Sequence, residues 1–297
     1  TPGGTGGLRV AADFIARIKP GARIWMSDPT WANHNGIFTA AGLELATYPY
    51  YNHETKALNF DEMVATLKEV PAGDVVLFHA CCHNPSGMDP NAEQWNQLAD
   101  LAAERGFLPL FDFAYQGFGT GIEEDAFGLR AFAEKGMELL VASSFSKNFG
   151  LYNQRAGAMT VVARTAEAAT VAMSHVKLAI RVNYSNPPAH GARLVAAVLA
   201  DSDLRRVWEQ DVTTMRNRIN GVRQQFVETM ATKTDKADFS FVATQCGMFS
   251  FSGLNKEQVL ELREKHSIYI VGSGRISIAG ITSANLDPLC SAIAAVL

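Results

Sequence analysis

The sequence predicts an α/β fold with a mostly parallel central sheet covered by helices on both faces, followed by a smaller carboxyl-terminal α+β domain. Two observations carry this. Through the first half of the chain, short apolar runs alternate with segments of helical periodicity, the pattern of strand–helix–strand units. Beyond about residue 164 that alternation stops, and helix dominates before a short mixed tail.

Each element has its own signal. Residues 8–18 place Leu8, Ala11, Ala12 and Ile15 on one helical face, and Lys19-Pro20-Gly21 stops the helix. Residues 22–26 read as a strand closed by Ser27-Asp28-Pro29, 33–41 as a helix, 43–48 as a strand and 60–70 as a helix. A buried strand at 75–80 leads to a helix at 92–105, with Trp95, Leu98, Leu101 and Ala102 on one face. Strands at 108–111, 139–142 and 156–162 and a helix at 128–134 complete the sheet region. A long charged helix then spans 204–230, with Trp208, Val212, Met215, Ile219, Val222 and Phe226 three or four apart. The tail carries strand signals at 239–242, 248–251, 268–271 and 276–279, and helices at 256–266 and 286–296. The domain change falls inside the long helix, giving a large domain of residues 1–213 and a small one of 214–297.

Composition excludes several classes of function. With 297 residues, 47% hydrophobic and 19% charged, the chain has the make-up of a globular protein. A net charge of -4 leaves no electrostatic footprint for nucleic acid or an anionic membrane. No apolar run approaches the roughly 20 residues that span a bilayer. Four cysteines without framework spacing point to a reducing compartment and a cytoplasmic location. The run His79-Ala80-Cys81-Cys82-His83 lacks the spacing of a structural zinc site, and adjacent residues on an extended chain face opposite ways, so no metal is expected. The chain opens Thr1-Pro2-Gly3-Gly4-Thr5-Gly6-Gly7, which reads as a turn before a helix and suggests a fragment.

The functional signal lies in Ser143-Ser144-Phe145-Ser146-Lys147-Asn148, directly after the apolar run ending at Ala142, with Arg155 eight positions beyond the lysine. An ammonium at a strand mouth is costly unless it is paired or neutralised, and an imine with an aldehyde cofactor is one way to neutralise it. The hydroxyls and Arg155 suit a phosphate held beside that imine. Taken alone, the same stretch reads equally as a lysine snorkelling from a serine-rich turn. Other strand ends add Trp31 and His34 after 22–26, Asn84-Pro85 after 75–80, and Asp112 and Tyr115 after 108–111. Ligands in such sheets bind beyond the carboxyl ends of the strands, and these residues share that edge.

Five motifs then carry a family resemblance: Ser144-Phe145-Ser146-Lys147-Asn148-Phe149-Gly150-Leu151-Tyr152, Cys82-His83-Asn84-Pro85-Ser86-Gly87, Asp112-Phe113-Ala114-Tyr115-Gln116-Gly117-Phe118, Tyr184-Ser185-Asn186-Pro187-Pro188 and Gly272-Ser273-Gly274-Arg275. In order and at compatible spacing from Thr1 to Leu297, they resemble the class I aspartate aminotransferases, pyridoxal 5'-phosphate enzymes of fold type I. The resemblance implies that Lys147 holds the cofactor as a Schiff base and then moves the substrate's α-proton. It implies that Asp112 pairs with the pyridine nitrogen, with His34 behind it, and that Tyr115 and Asn84 bond the ring's phenolic oxygen. Trp31 stacks on the ring, and Ser144, Ser146, Arg155 and the Gly4-Thr5 loop hold the phosphate.

By the same resemblance, Arg275 binds the α-carboxylate as a planar fork, and Arg181 reaches the neighbouring subunit's site for a distal carboxylate. Trp31 and Asn84 border the substrate as well. Two arginines imply dicarboxylic partners, aspartate/oxaloacetate and glutamate/2-oxoglutarate, although aromatic-preferring relatives keep the same arginine. Phe111-Asp112-Phe113 and Asn148-Phe149-Gly150 look more like the aspartate-preferring members. Decarboxylation or β-elimination on the same cofactor fits the arginine pair less well. Gln154 stands where many relatives have an acid and Ser86 where many have Thr. Family members carry a further amino-terminal segment, with an arm around the partner subunit and a tyrosine reaching the neighbouring cofactor phosphate. The sequence is therefore read as truncated: the full protein is expected to be an active homodimer, and this piece alone to bind cofactor poorly or fail to fold, with an aromatic-amino-acid aminotransferase or an inactive fragment as the alternative readings.

Overall fold

In the computed structural model, which describes residues 1–297, the chain runs α1 (Gly3–Ile18), β1 (Arg23–Asp28), α2 (Asn33–Ala40), β2 (Glu44–Pro49), β3 (Tyr51–Asn52), β4 (Ala57–Leu58) and α3 (Phe60–Leu67). It continues through β5 (Val75–His79), α4 (Ala92–Arg105), β6 (Leu108–Phe113), α5 (Phe127–Glu134), β7 (Leu139–Ser144) and β8 (Gly157–Val162). The second half holds α6 (Ala166–Asn183), α7 (Ala189–Ala200), α8 (Ser202–Lys233), β9 (Phe249–Phe251), α9 (Lys256–His266), β10 (Arg275–Ser277) and α10 (Leu286–Val296).

Six strands form the central sheet in the order β2-β1-β5-β6-β7-β8. All neighbours pair in parallel except β8, which returns antiparallel to β7 with Ser144 opposite Gly157. Successive side chains leave a strand on opposite faces, and the core divides accordingly. Ile24, Met26, Val75, Leu77, Leu110, Leu140 and Ala142 pack under α1 and α2. Val76, Phe78, Phe111 and Val141 face the other way, against α4 and α5, in a core continuous with the small carboxyl-terminal elements. The strand order changes direction between β1 and β5, and the loops leaving the carboxyl ends there open the crevice expected at such a point.

Local chemistry explains the sharp boundaries. Asn91 caps α4 with its side chain on Gln94 N–H while Gln94 answers on Asn91 N–H, a reciprocal capping box, and Gly106 ends the helix at φ +71°. Asn255 and Gln258 repeat the device at α9.

Four expectations need correction. Residues 3–7 are already the first turns of α1 and not a turn before it. Their glycines permit close packing: a Cβ on Gly4 would lie 2.9 Å from Ser144 Cβ, and one on Gly157 2.4 Å from the Gly3 carbonyl carbon. Asp112 lies within β6, opposite Ala142, and not just past the strand. Residues 239–242 fall in a 3-10 turn, Ser240–Thr244, because Phe239 and Val242 bury themselves beside Phe226 of α8 and find no strand to pair with. Residues 268–271 form no strand, and Tyr269 is 77% exposed. The two-stranded β3–β4 ribbon carried no recognisable signal.

Candidate active site

Beyond the carboxyl ends of β5, β6 and β7 lies an open cavity of about 240 Å³. Gly4, Thr5, Trp31, Asn84, Asp112, Tyr115, Ser144, Ser146, Lys147 and Arg155 all line it. His34 is fully buried directly behind this wall. Arg275 stands at its rim, and Arg181 is elsewhere, in the exposed last turn of α6 with Nη1 on Ser185 Oγ at 3.3 Å. The strand-end residues thus converge as expected, and Arg181 is not among the residues that line this cavity.

Asp112 is the anionic pole. It is buried, and its Oδ2 lies 3.1 Å from His34 Nε2. Burial alone would raise its pKa, but the His34 hydrogen bond, the neighbouring imidazoles and Lys147 outweigh that and hold it below the ordinary carboxylate value. An ionised carboxylate only accepts, so His34 carries its proton on Nε2. Thr30 Oγ1 then bridges His34 Nδ1, at 2.8 Å, and His79 Nε2, at 3.1 Å. Burial, with the neighbouring His34, pushes His79 down to about 3, so this second imidazole stays neutral.

Lys147 faces Asp112 across the cavity, its Nζ 4.6 Å from the centre of the Tyr115 ring. Burial lowers its pKa, Asp112 offsets part of that, and Arg155 adds to it. The Tyr115 hydroxyl accepts from Asn84 Nδ2 at 3.3 Å, and burial beside Asp112 raises its pKa. Arg275 Nη1 donates to Asn84 Oδ1 at 3.0 Å, and its guanidinium lies 4.3 Å from the Phe249 ring centre. The loop carrying Asn84 is fixed by Asp89, which accepts from Cys82 N–H and His83 N–H, and by His83, wedged between Ser27 Oγ (2.9 Å) and Ser86 Oγ (2.7 Å). Tyr50 stacks on that imidazole at 3.9 Å.

The opposite end of the cavity suits an anion. The first turn of α1 points its free N–H groups there, and the helix dipole favours negative charge at that terminus. Ser144 Oγ accepts from Ser146 N–H at 3.3 Å, and the hydroxyl protons of both serines remain available. Arg155 takes a left-handed conformation, φ +52°, that brings its guanidinium to where a Cβ on Gly3 would be 2.5 Å away. One cavity therefore holds a depressed amine, a histidine-backed anion and an anion cradle, a donor set that fits pyridoxal phosphate: an aldehyde, a basic ring nitrogen and a phosphate.

Sequence reasoning missed four lining residues, the apolar Leu8 and Ala114 and the polar Tyr152 and His79. Tyr152 sits within the lysine motif itself, and His79 belonged to the histidine–cysteine run considered only for metal. The strand period could have found His79, since it pairs with Asp112 in register.

A family model for aminotransferase class I and II matches residues 1–293. The chain is 59% identical over all 297 residues to an aspartate aminotransferase of Salmonella typhi, covering 75% of that relative. It is 49% identical over 296 residues to an aromatic-amino-acid aminotransferase of Pseudomonas aeruginosa, covering 74% of it. Among solved structures, an aromatic-amino-acid aminotransferase from Burkholderia pseudomallei covalently bound to pyridoxal phosphate superposes with a TM-score of 0.98 at 46% identity, over 100% of this chain and 74% of that one.

Proposed function

Because the chain belongs to the class I and II aminotransferases, we propose that it catalyses reversible pyridoxal-phosphate-dependent amino-group exchange between L-aspartate/oxaloacetate and L-glutamate/2-oxoglutarate. The observation that carries the reading is the depressed Lys147 amine opposite the buried, histidine-backed Asp112 in one cavity. The higher identity to an aspartate than to an aromatic aminotransferase favours the dicarboxylic substrate.

Pyridoxal phosphate, when bound, supplies an aldehyde for the substrate amine and an electron sink for its α-carbon. Lys147 Nζ would anchor the cofactor and, its pKa lowered by burial, would serve as the base for the substrate's α-proton. Asp112 would keep a proton on the ring nitrogen, and His34 and Thr30 keep its carboxylate oriented. Asn84 and Tyr115 would hold the phenolic oxygen, and Trp31 would pack against the ring. Ser144, Ser146, Arg155 and the amides of Gly4 and Thr5 receive the phosphate. Arg275 takes the substrate's α-carboxylate bidentately. Arg181, exposed and away from its own cavity, is assigned to the distal carboxylate in the site of a second copy, which makes the working unit a homodimer. The domain change is placed within α8, with 1–213 binding the cofactor and 214–297 forming the small domain.

The test is spectral. Full-length protein with pyridoxal phosphate should gain a visible absorption band that shifts on adding aspartate. Lys147→Ala should lose the covalent attachment, read by mass after borohydride reduction; an undiminished reduced adduct at the cofactor site would overturn the assignment.

A further inference from the structure

The cavity chemistry makes no use of a buried thiol group at the seam between the sheet and the carboxyl-terminal elements. Cys82 lies in the loop after β5, and Cys246 lies on the segment entering β9. The two segments are laced together, since Cys246 N–H donates to Gly87 O at 2.7 Å. The Cys82 sulfur, the Cys246 sulfur and an Asp89 carboxylate oxygen all lie within 4.8 Å of one another. The Cys246 thiol donates to Asp89 Oδ2 at 3.1 Å.

A second observation points to the same place. Arg223 of α8 is 2% exposed and forms no ion pair; it donates to Val242 O, Gly247 O and Ser250 Oγ, and its Nε has no partner. A buried guanidinium without a carboxylate is costly, and the titratable groups that act on it are Cys246 and Cys82, although both thiols are held well above the ordinary thiol value. A cation placed among Cys82, Asp89 and Cys246 would meet that buried positive charge, which argues against a metal. The adjoining set of Cys81, Cys82 and Asp125 is already committed, because Asp125 accepts from Gly117, Gly119, Thr120 and Gly121 N–H.

We propose that Cys246 is a peroxide-sensitive thiol whose oxidation closes a reversible Cys82–Cys246 disulfide across this seam. Cys246, partly exposed, meets the oxidant first, whereas Cys82 is 3% exposed. Cys246 passes its thiol proton to Asp89, its sulfur bonds one oxygen of hydrogen peroxide, the O–O bond breaks, and the leaving oxygen recovers the proton as water. The Cys82 sulfur then attacks the resulting sulfenic sulfur: the S–S bond forms, the S–O bond breaks, and the hydroxyl leaves as a second water with the Cys82 proton. Two thiols lose two electrons and peroxide gains them. The cross-link restrains both sides of the Arg275 contact, since Cys82 is two residues from Asn84 and Cys246 three from Phe249.

The test uses the full-length protein with cofactor bound. After graded peroxide, free thiols are capped and unreduced peptides are mapped by mass. The expected product is a Cys82–Cys246 peptide pair with loss of two of the four thiols of residues 1–297, reversed by dithiothreitol. It should disappear in Cys246→Ser and in Cys82→Ala and persist in Cys290→Ser. A Cys81–Cys82 product, terminal oxidation of Cys246 without cross-linking, or oxidation of Cys290 before either seam thiol would each overturn the proposal.

Discussion

One close approach in the anion cradle gives the sharpest prediction, made with a single methyl group. Gly4 lies in the first turn of α1, and a Cβ there would stand 2.9 Å from Ser144 Cβ and 3.5 Å from Ser144 Oγ. Non-bonded carbons settle at about 3.5–4.0 Å, so something must move by more than about half an ångström. The obstacle is no flexible side-chain tip; Ser144 Cβ is fixed to β7, which is paired on both sides. Replacing a helical glycine by alanine ordinarily gains about 0.5–1 kcal/mol. Overpacking of this kind costs about 1–3 kcal/mol, so Gly4→Ala should lose roughly 1–2 kcal/mol net. If Ser144 turns away from the phosphate it would otherwise meet, a hydrogen bond to a charged group worth about 1.5–3 kcal/mol is lost. That weakens pyridoxal phosphate binding about tenfold to 100-fold. The assays are thermal unfolding of the apo protein and cofactor titration by fluorescence. Gly221→Ala, also within a helix but with nothing within 4 Å of the new Cβ, is the control and should stabilise. If Gly4→Ala matched Gly221→Ala in stability and kept wild-type cofactor affinity, the close-packing account of the cradle would be refuted.

Two further outcomes follow from the site. His79 titrates at about 3 in the folded protein against 6.5 for a free imidazole, so the unfolded chain binds a proton that the native one refuses between those values; stability falls as pH drops through that window, and His79→Gln should flatten the stability–pH slope between about pH 6 and pH 4 by up to ~1.4 kcal/mol per unit. An unchanged slope would show that His79 is not the neutral group described. Arg181→Asp should depress kcat/KM for aspartate far more than for phenylalanine, and equal losses on both would remove the distal-carboxylate role.

What the sequence made legible and what it concealed divide along physical lines. Helices α4, α9 and α10 were readable almost to the residue, because their signals are local: a capping box, an apolar face, a stop. The parallel strands were readable because both faces are buried, which leaves unbroken apolar runs such as Val75–His79. At 239–242 and 268–271 the same β-prone residue types failed, since strand preference expresses a partner edge and neither segment has one. The first turns of α1 were hidden for a related reason. Gly3-Gly4-Thr5-Gly6-Gly7 looks like a flexible turn until Ser144 and Gly157 are placed against it, and only then do the glycines read as spaces.

Much of the candidate site was legible because Asn84, Asp112, Tyr115, Ser144, Ser146 and Lys147 lie at or just beyond the carboxyl ends of β5, β6 and β7 and so fall on one edge. Side chains that act through another side chain were legible only where a motif named them. His34 was expected behind Asp112, yet Thr30, which ties His34 to His79, has no signal beyond its position four residues before His34. Cys246 shows the limit most clearly. It is separated by 164 positions from Cys82, and only the fold, with Arg223 left unpaired beside them, turns two unrelated cysteines into one reactive pair.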